Sequence, residues 1–259
     1  MAAFGAGTRR VQTLRNTLGI KIMSLLTHAV RPALSPVLPI ALGLVAFIVV
    51  AFAQFELRGL VPLGALPLLV HLHGALMLSW LIVFALQAVI ANRQMRSAHR
   101  VLGLVAGPLV LLIPPVTVAA CIAMLRMHMA PPFFSPAFFL SLVVVEVLAF
   151  AALVGWALAL RRESDWHYRL MIGATIVLME PAVGRALPLP IIGAAMEQTI
   201  ALVLQLLVVG CIALIDRRGG RKIHPATLSV AAVIVGTHLL DVAFAQVPAV
   251  QLVANALAA

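Results

Sequence analysis

The sequence predicts an all-α polytopic membrane bundle with seven transmembrane helices, N-terminus inside and C-terminus outside. Three observations predict it. Hydrophobic residues make up 63% of the 259-residue chain. Apolar runs recur from end to end, each near the roughly 20 residues that a helix needs to cross a bilayer. Lys and Arg gather in every second gap between those runs. The runs are 38–55, 66–91, 100–125, 137–160, 168–188, 196–215 and 226–245. They must be helical, because lipid offers the backbone no hydrogen-bond partner.

The basic residues set the orientation. Arg9, Arg10, Arg15, Lys21 and Arg31 precede the first run. Arg93, Arg96 and Arg100 lie between the second and third. Arg161, Arg162 and Arg169 lie between the fourth and fifth, and Arg217, Arg218, Arg221 and Lys222 between the sixth and seventh. Of the 18 basic residues only Arg58, Arg126 and Arg185 fall elsewhere. Basic loops stay in the cytoplasm. The net charge of +10 follows from this rule and implies no nucleic-acid partner. Basic loops also suit anionic lipid headgroups. Cys121 and Cys211 fall at different depths, so no disulfide is expected.

Residues 1–37 carry no secretory signal, since the apolar stretch Ile20–Leu26 is short and interrupted. Val11, Leu14, Leu18 and Met23 are spaced as one helical face among basic residues. That pattern fits an amphipathic helix on the cytoplasmic surface or a disordered basic tail. Residues 38–259 make up the transmembrane domain. Pro114-Pro115 in the third run and Pro181 in the fifth predict interruptions, because proline removes a backbone donor. Gly103, Gly107, Gly173 and Gly184 permit close helix approach. Pro131-Pro132-Phe133-Phe134-Ser135-Pro136 reads as a rigid interfacial turn.

Ionisable residues within the runs are costly to bury and therefore informative. At about 1.5 Å of rise per residue, His73 and His238 each lie roughly 10 Å inside the outer end of their spans. Glu146 and Glu180 come out at about 10–14 Å by the same rise. His73, Glu146, Glu180 and His238 thus share one layer and are expected to converge. Asp241 follows His238 by three residues, on the same face. Arg185 and Glu197 sit nearer the outer surface. His71 and His73 are about 200° apart around the helix axis, so only one faces a common site. His73 is the choice, in a stripe with Met77, Trp80 and Phe84, where Gly74 leaves room for a flat ligand. At the inner side His28, His99, His167 and His224 each precede or open a span beside basic residues. The plain reading puts them at headgroup level. Alternatively His99 and His167 face each other and hold one iron.

His73-Gly74-Ala75-Leu76-Met77 with Ser79-Trp80 resembles the helix motif of the ascorbate-reducible di-haem transmembrane cytochrome b family. His99 with Gly103 and His167 with Gly173 are the next resembling elements. The resemblance covers about a fifth of the chain. It implies a helical bundle with a haem b near each membrane face, each held by two His, that moves electrons across the membrane. A quinone or another redox partner would then be served. His73 is shorter in its spacing to His99 than the family leads one to expect, and no motif of the family covers His238. The His-Gly and His-Arg-x-Leu-Gly elements also resemble bacterial membrane proteins to which no activity attaches, implying a bacterial cytoplasmic membrane.

A haem reading needs two pairs. His73 and His99 are separated by close to 30 Å of helix rise, so His73 would pair with His238 and His99 with His167. Glu146 and Glu180 are not required by haem. With His73 and His238 they suit a Zn or Fe ion. Three functions stay open: a haem or metal redox protein, a membrane metalloenzyme, and a proton- or cation-linked transporter. No Gly-rich phosphate loop is present.

Overall fold

Prolines mark where the helices of this chain begin. Pro is favoured in the first turn of a helix, where its missing N–H costs nothing and its fixed φ is already helical. In the computed structural model, which describes residues 35–60, 63–187 and 193–259, six helices carry Pro at the first or second position. The helices are α1 (Leu38–Leu57), α2 (Leu68–Asn92), α3 (Arg96–Val105), α4 (Gly107–Arg126) and α5 (Pro136–Ala159). They continue with α6 (Ser164–Val177), α7 (Glu180–Ala186), α8 (Ala194–Asp216), α9 (Pro225–Ala245) and α10 (Pro248–Leu257). Every regular element among the described residues is helical. Residues 1–34 of the expected N-terminal segment, with His28, lie outside the described residues.

Side chains complete some of these starts. Ser135 accepts a hydrogen bond from the Phe138 amide at 3.2 Å and caps α5. His224 caps α9 by accepting from the Ala226 amide at 3.1 Å. Each supplies an acceptor to an N–H that has no partner within its own helix. Gly193 opens α8 at φ +75°, a conformation glycine adopts without strain.

Six helical segments are long and apolar enough to cross a membrane: α1, α2, the consecutive α3 and α4 (Arg96–Arg126), α5, α8 and α9. Their exposed surfaces are rich in Leu, Val and Phe, consistent with contact with lipid. The run expected as a single fifth span is two short helices instead. Helix α6 stops at Val177 and α7 starts at Glu180. The cause is Pro181, which has no amide hydrogen to give the Val177 carbonyl. Pro114 and Pro115 behave differently from expectation. Both sit inside an unbroken α4, and the interruption falls at Ala106, just before Pro108 in the first turn of α4.

The broken pair α6–α7 occupies the centre. Arg169, Leu170 and Ile172–Val177 are all buried, and α6 and α7 together are packed by α1, α5, α8 and α9. A helix apolar on every side belongs inside a bundle. Gly173 makes this possible. A Cβ there would meet the Val230 side chain of α9 at 2.5 Å, so the two helices approach too closely for any larger residue. Trp80 and Phe84 of α2 also serve this core. The Trp80 ring meets Phe150 edge-on at 4.9 Å, and both α2 residues are buried.

One end of the bundle is tied by charge. Arg169, at the start of α6, donates to Asp216 at the end of α8 through Nε (3.2 Å) and through a second, short bond from its guanidinium. The other Asp216 oxygen accepts from the His224 amide (3.1 Å) and the Thr227 hydroxyl (2.6 Å). Arg169 also donates to the Asp165 carbonyl at 2.6 Å. One carboxylate thus joins α6, α8 and α9 where the basic loops lie. We call this the basic end and the opposite one the far end. Arg169→Gln leaves Asp216 buried and uncompensated, a loss of about 3–5 kcal/mol for a broken buried pair. Thermal unfolding in detergent should show a large drop for this variant. A drop no bigger than that of Arg161→Gln, on an exposed residue, would mean that the pair holds nothing together.

Candidate functional site

Four carboxyl groups meet in the interior toward the far end. Glu180 is the first residue of α7, Glu146 lies mid-way along α5, Glu197 is in the first turn of α8, and Asp241 is in the last third of α9. All four are buried, with Asp241 at 0% and Glu180 at 2% exposure. Glu146 is adjacent to Glu180 and within electrostatic reach of Asp241 and Glu197. Glu180, His238 and Asp241 can each bring one ligand atom within 4.8 Å of the others. Among the described residues no Lys or Arg forms an ion pair with any of the four carboxylates; the single ionic neighbour is His238, whose Nε2 is 3.9 Å from Glu180 Oε2.

Two glutamines of α8 hold His238. Gln198 donates from Nε2 to Glu180 Oε1, a short bond, and to Glu197 at 3.2 Å. Its Oε1 therefore faces His238 Nδ1, 3.1 Å away. Gln205 donates from Nε2 to the carbonyls of Ile176 and Val177 at 3.2 and 3.4 Å. Its Oε1 faces His238 Nε2 at 2.9 Å. Each amide is oriented by its second partner, so both ring nitrogens of His238 meet acceptors. The ring is thereby fixed between the two amides, with Nε2 3.9 Å from Glu180 Oε2.

Several oxygens are left over. Glu146 Oε1, Glu180 Oε2 and both carboxylate oxygens of Asp241 are buried without a hydrogen-bond partner. Buried polar atoms in this state are rare and call for an explanation. Ser141 of α5 does not supply one, since its hydroxyl donates to the Asp241 main-chain carbonyl at 2.8 Å. An oxygen-rich set of this kind suits a hard cation.

His73 is not a member of this group. Its Nδ1 pairs with the Thr117 hydroxyl of α4 at 3.1 Å. That hydroxyl also donates to the Ile113 carbonyl, so His73 is the donor to Thr117. Arg185 is the charged group that acts on His73. The Arg185 guanidinium donates to the Pro181 carbonyl at 2.8 Å and lies 4.2 Å over the Phe52 ring. Gln54 of α1 donates to the Arg185 carbonyl at 2.7 Å. The expected outer pair of His73 and His238 therefore has different partners on different helices. His71 is exposed on another face of α2. The stripe from His73 through Met77 to Trp80 and Phe84 packs into the core, not against a ligand space.

His99 and His167 do approach each other near the basic end. Their ring centroids are 6.2 Å apart at an interplanar angle of 82°. His167 donates from Nδ1 to the Ala157 carbonyl at 2.8 Å, which leaves Nε2 as the lone-pair nitrogen. His99 is placed by Gln87, whose Nε2 donates to the His99 carbonyl at 3.1 Å. Its own Nδ1 is buried without a partner.

A cavity of about 660 Å³ at the far end reaches Gln198 and His238, the neighbours of Glu180. The α4–α5 loop, the starts of α5 and α8, the end of α9 and α10 enclose it, and Gln198 and His238 are part of its wall.

Gln198, Gln205, Thr117 and the Arg169–Asp216 pair are absent from the residues that the sequence singles out. A signal for the glutamines exists. Gln198 and Gln205 are seven residues apart, two turns on one face of an otherwise apolar helix. No protein-family model, no curated protein and no solved structure matches this chain.

Proposed function

We propose that this chain is an integral membrane metalloprotein. A hard divalent cation is held by Glu146, Glu180 and Asp241 in the outer half of the bundle, with His238 beside Glu180 and Asp241. The observation that carries the reading is the set of buried carboxylate oxygens without donors. Leaving them bare in a low-dielectric interior is strongly unfavourable. A divalent cation offsets two of the three charges that these carboxylates would carry. A proton shared between the adjacent Glu146 and Glu180 offsets the rest. The oxygen-rich donor set favours Mg, Mn or Ca over the softer ions that a His ligand would suit. Metal analysis of protein purified in detergent should find about one divalent ion per chain, as a single closed site predicts. Glu180→Gln and Asp241→Asn should lose it. Stoichiometric metal that survives in both variants, or none in the parent protein, would sink this reading. Retention through prolonged dialysis marks a resident cofactor of a membrane metalloenzyme. Rapid exchange with external metal marks a cation-linked carrier.

The topology belongs to the same proposal. The pair α6–α7 runs from the Arg169–Asp216 contact to the Glu180–Gln198 contact. We read it as the seventh crossing, a discontinuous helix whose break lines a polar site, as irregular backbone at membrane depth requires. The basic end then faces the cytoplasm and the cavity opens outside. Reporter fusions after Arg126 should read outside and fusions after Arg221 inside. A cytoplasmic signal after Arg126 would invert the cavity's side.

A second reading is favoured by the 6.2 Å approach of the His99 and His167 rings. Two imidazoles from α3 and α6 fit a haem iron, with the Nδ1–H of His167 oriented by a carbonyl in the manner of a metal-ligating His. Bound haem b would give a redox centre near the cytoplasmic face, with a quinone or another carrier as partner. Absorption spectra before and after dithionite reduction decide this. A Soret band that vanishes in His99→Ala and in His167→Ala assigns the iron to this pair. A protein with no visible band has no haem here.

A further inference from the structure

The geometry points to the far-end cavity as the binding site of an uncharged amphiphile, whose hydrogen-bonding head reaches Gln198 and His238. This rests on the reading that the carboxylate site is the working centre. The wall carries the argument. Phe133, Phe134 and Phe138 supply its apolar surface. Carboxamides supply much of its polar surface, with Gln198 deep and Gln251 and Asn255 of α10 near the mouth. Among the described residues no Asp, Glu, Lys or Arg is in the lining. Amides offer donors and acceptors to a neutral head such as a hydroxyl, ester or amide. A volume near 660 Å³ falls in the range of small-molecule sites.

Charge behind the wall narrows the class further. An anionic head would approach Glu180, Glu197 and Asp241 with no Lys or Arg in the lining to receive it. A cationic head would find no Asp or Glu among the described lining residues to receive it. A neutral head meets neither obstacle. The mouth is flanked by α10, whose residues Gln251 and Asn255 line it. Helix α10 buries Ala254 against the bundle and exposes Leu252 and Val253, the pattern of a helix lying in a membrane surface. An acyl chain can therefore enter beside α10 while its head turns inward along the amides.

The test uses the full chain in phosphatidylcholine nanodiscs and a monoacylglycerol with a diazirine in its acyl chain. Photolabelled peptides should concentrate in 133–138 and 194–202 and in α10. Unlabelled monoacylglycerol should compete; the matching fatty acid and acylcholine should not. Gln251→Leu and Asn255→Leu, both at exposed positions, should each weaken labelling about fivefold, the loss of one neutral hydrogen bond. Label spread over the lipid-facing sides of α1 and α2, or equal competition by the fatty acid, overturns the inference. Metal content is read on the same samples. Localised labelling in protein without metal keeps the cavity assignment and overturns only the metal reading.

Discussion

The amide hydrogen that Pro181 lacks is the constraint on which the interior depends. A continuous helix would have satisfied the Val177 carbonyl through residue 181. In a bilayer interior no water replaces that bond. The side-chain amide of Gln205 reaches the freed carbonyls from α8. Its nitrogen is committed there, so its oxygen must face the other way, toward His238. Gln198 is held in the same sense by the Glu180 carboxylate. The helix break thus fixes two amides, the amides fix the histidine, and the histidine stands beside the first residue after the break. A backbone defect and a polar site are one structure.

Charge is distributed unevenly along this axis. At the basic end Asp216 has an arginine and two further donors, and its oxygens are satisfied. A carboxylate so compensated closes the bundle. At the far end three carboxyl groups retain oxygens that none of the described residues satisfies. Breaking or omitting compensation in a buried ionic group is strongly destabilising, so the two ends cannot serve the same purpose. The first is a tie between helices. The second is the site for which a cation is proposed.

Much of the architecture was legible in the sequence. Apolar run length located the six long helical segments, and the alternation of basic gaps matched the end at which Arg169 and Asp216 meet. Depth counting put Glu146, Glu180 and His238 in one layer, and the i+3 spacing added Asp241. Depth fixes a residue's level along the bundle axis but not its direction around the helix. For that reason His73, at the same depth, went instead to Thr117. The glutamines carry no charge to mark them in the sequence, yet a buried amide in an apolar span also needs a hydrogen-bond partner. Pro181 broke its helix and Pro114-Pro115 did not. Local sequence cannot separate these cases, since the outcome depends on whether a neighbour such as Gln205 can receive the freed carbonyl.

The cavity and the carboxylates are joined by shared residues, not merely by proximity. Gln198 and His238 belong both to the cavity wall and to the hydrogen-bond network around Glu180. A molecule that bonds to Gln198 competes with His238 for its oxygen or with Glu180 for its nitrogen. Either change alters the number of donors around the carboxylates, and hence how strongly a cation is needed there. Occupancy of the cavity and occupancy of the carboxylate site are therefore thermodynamically linked, and the linkage is reciprocal. On the proposed reading, a ligand at the mouth and a cation in the interior would act on each other through one amide side chain.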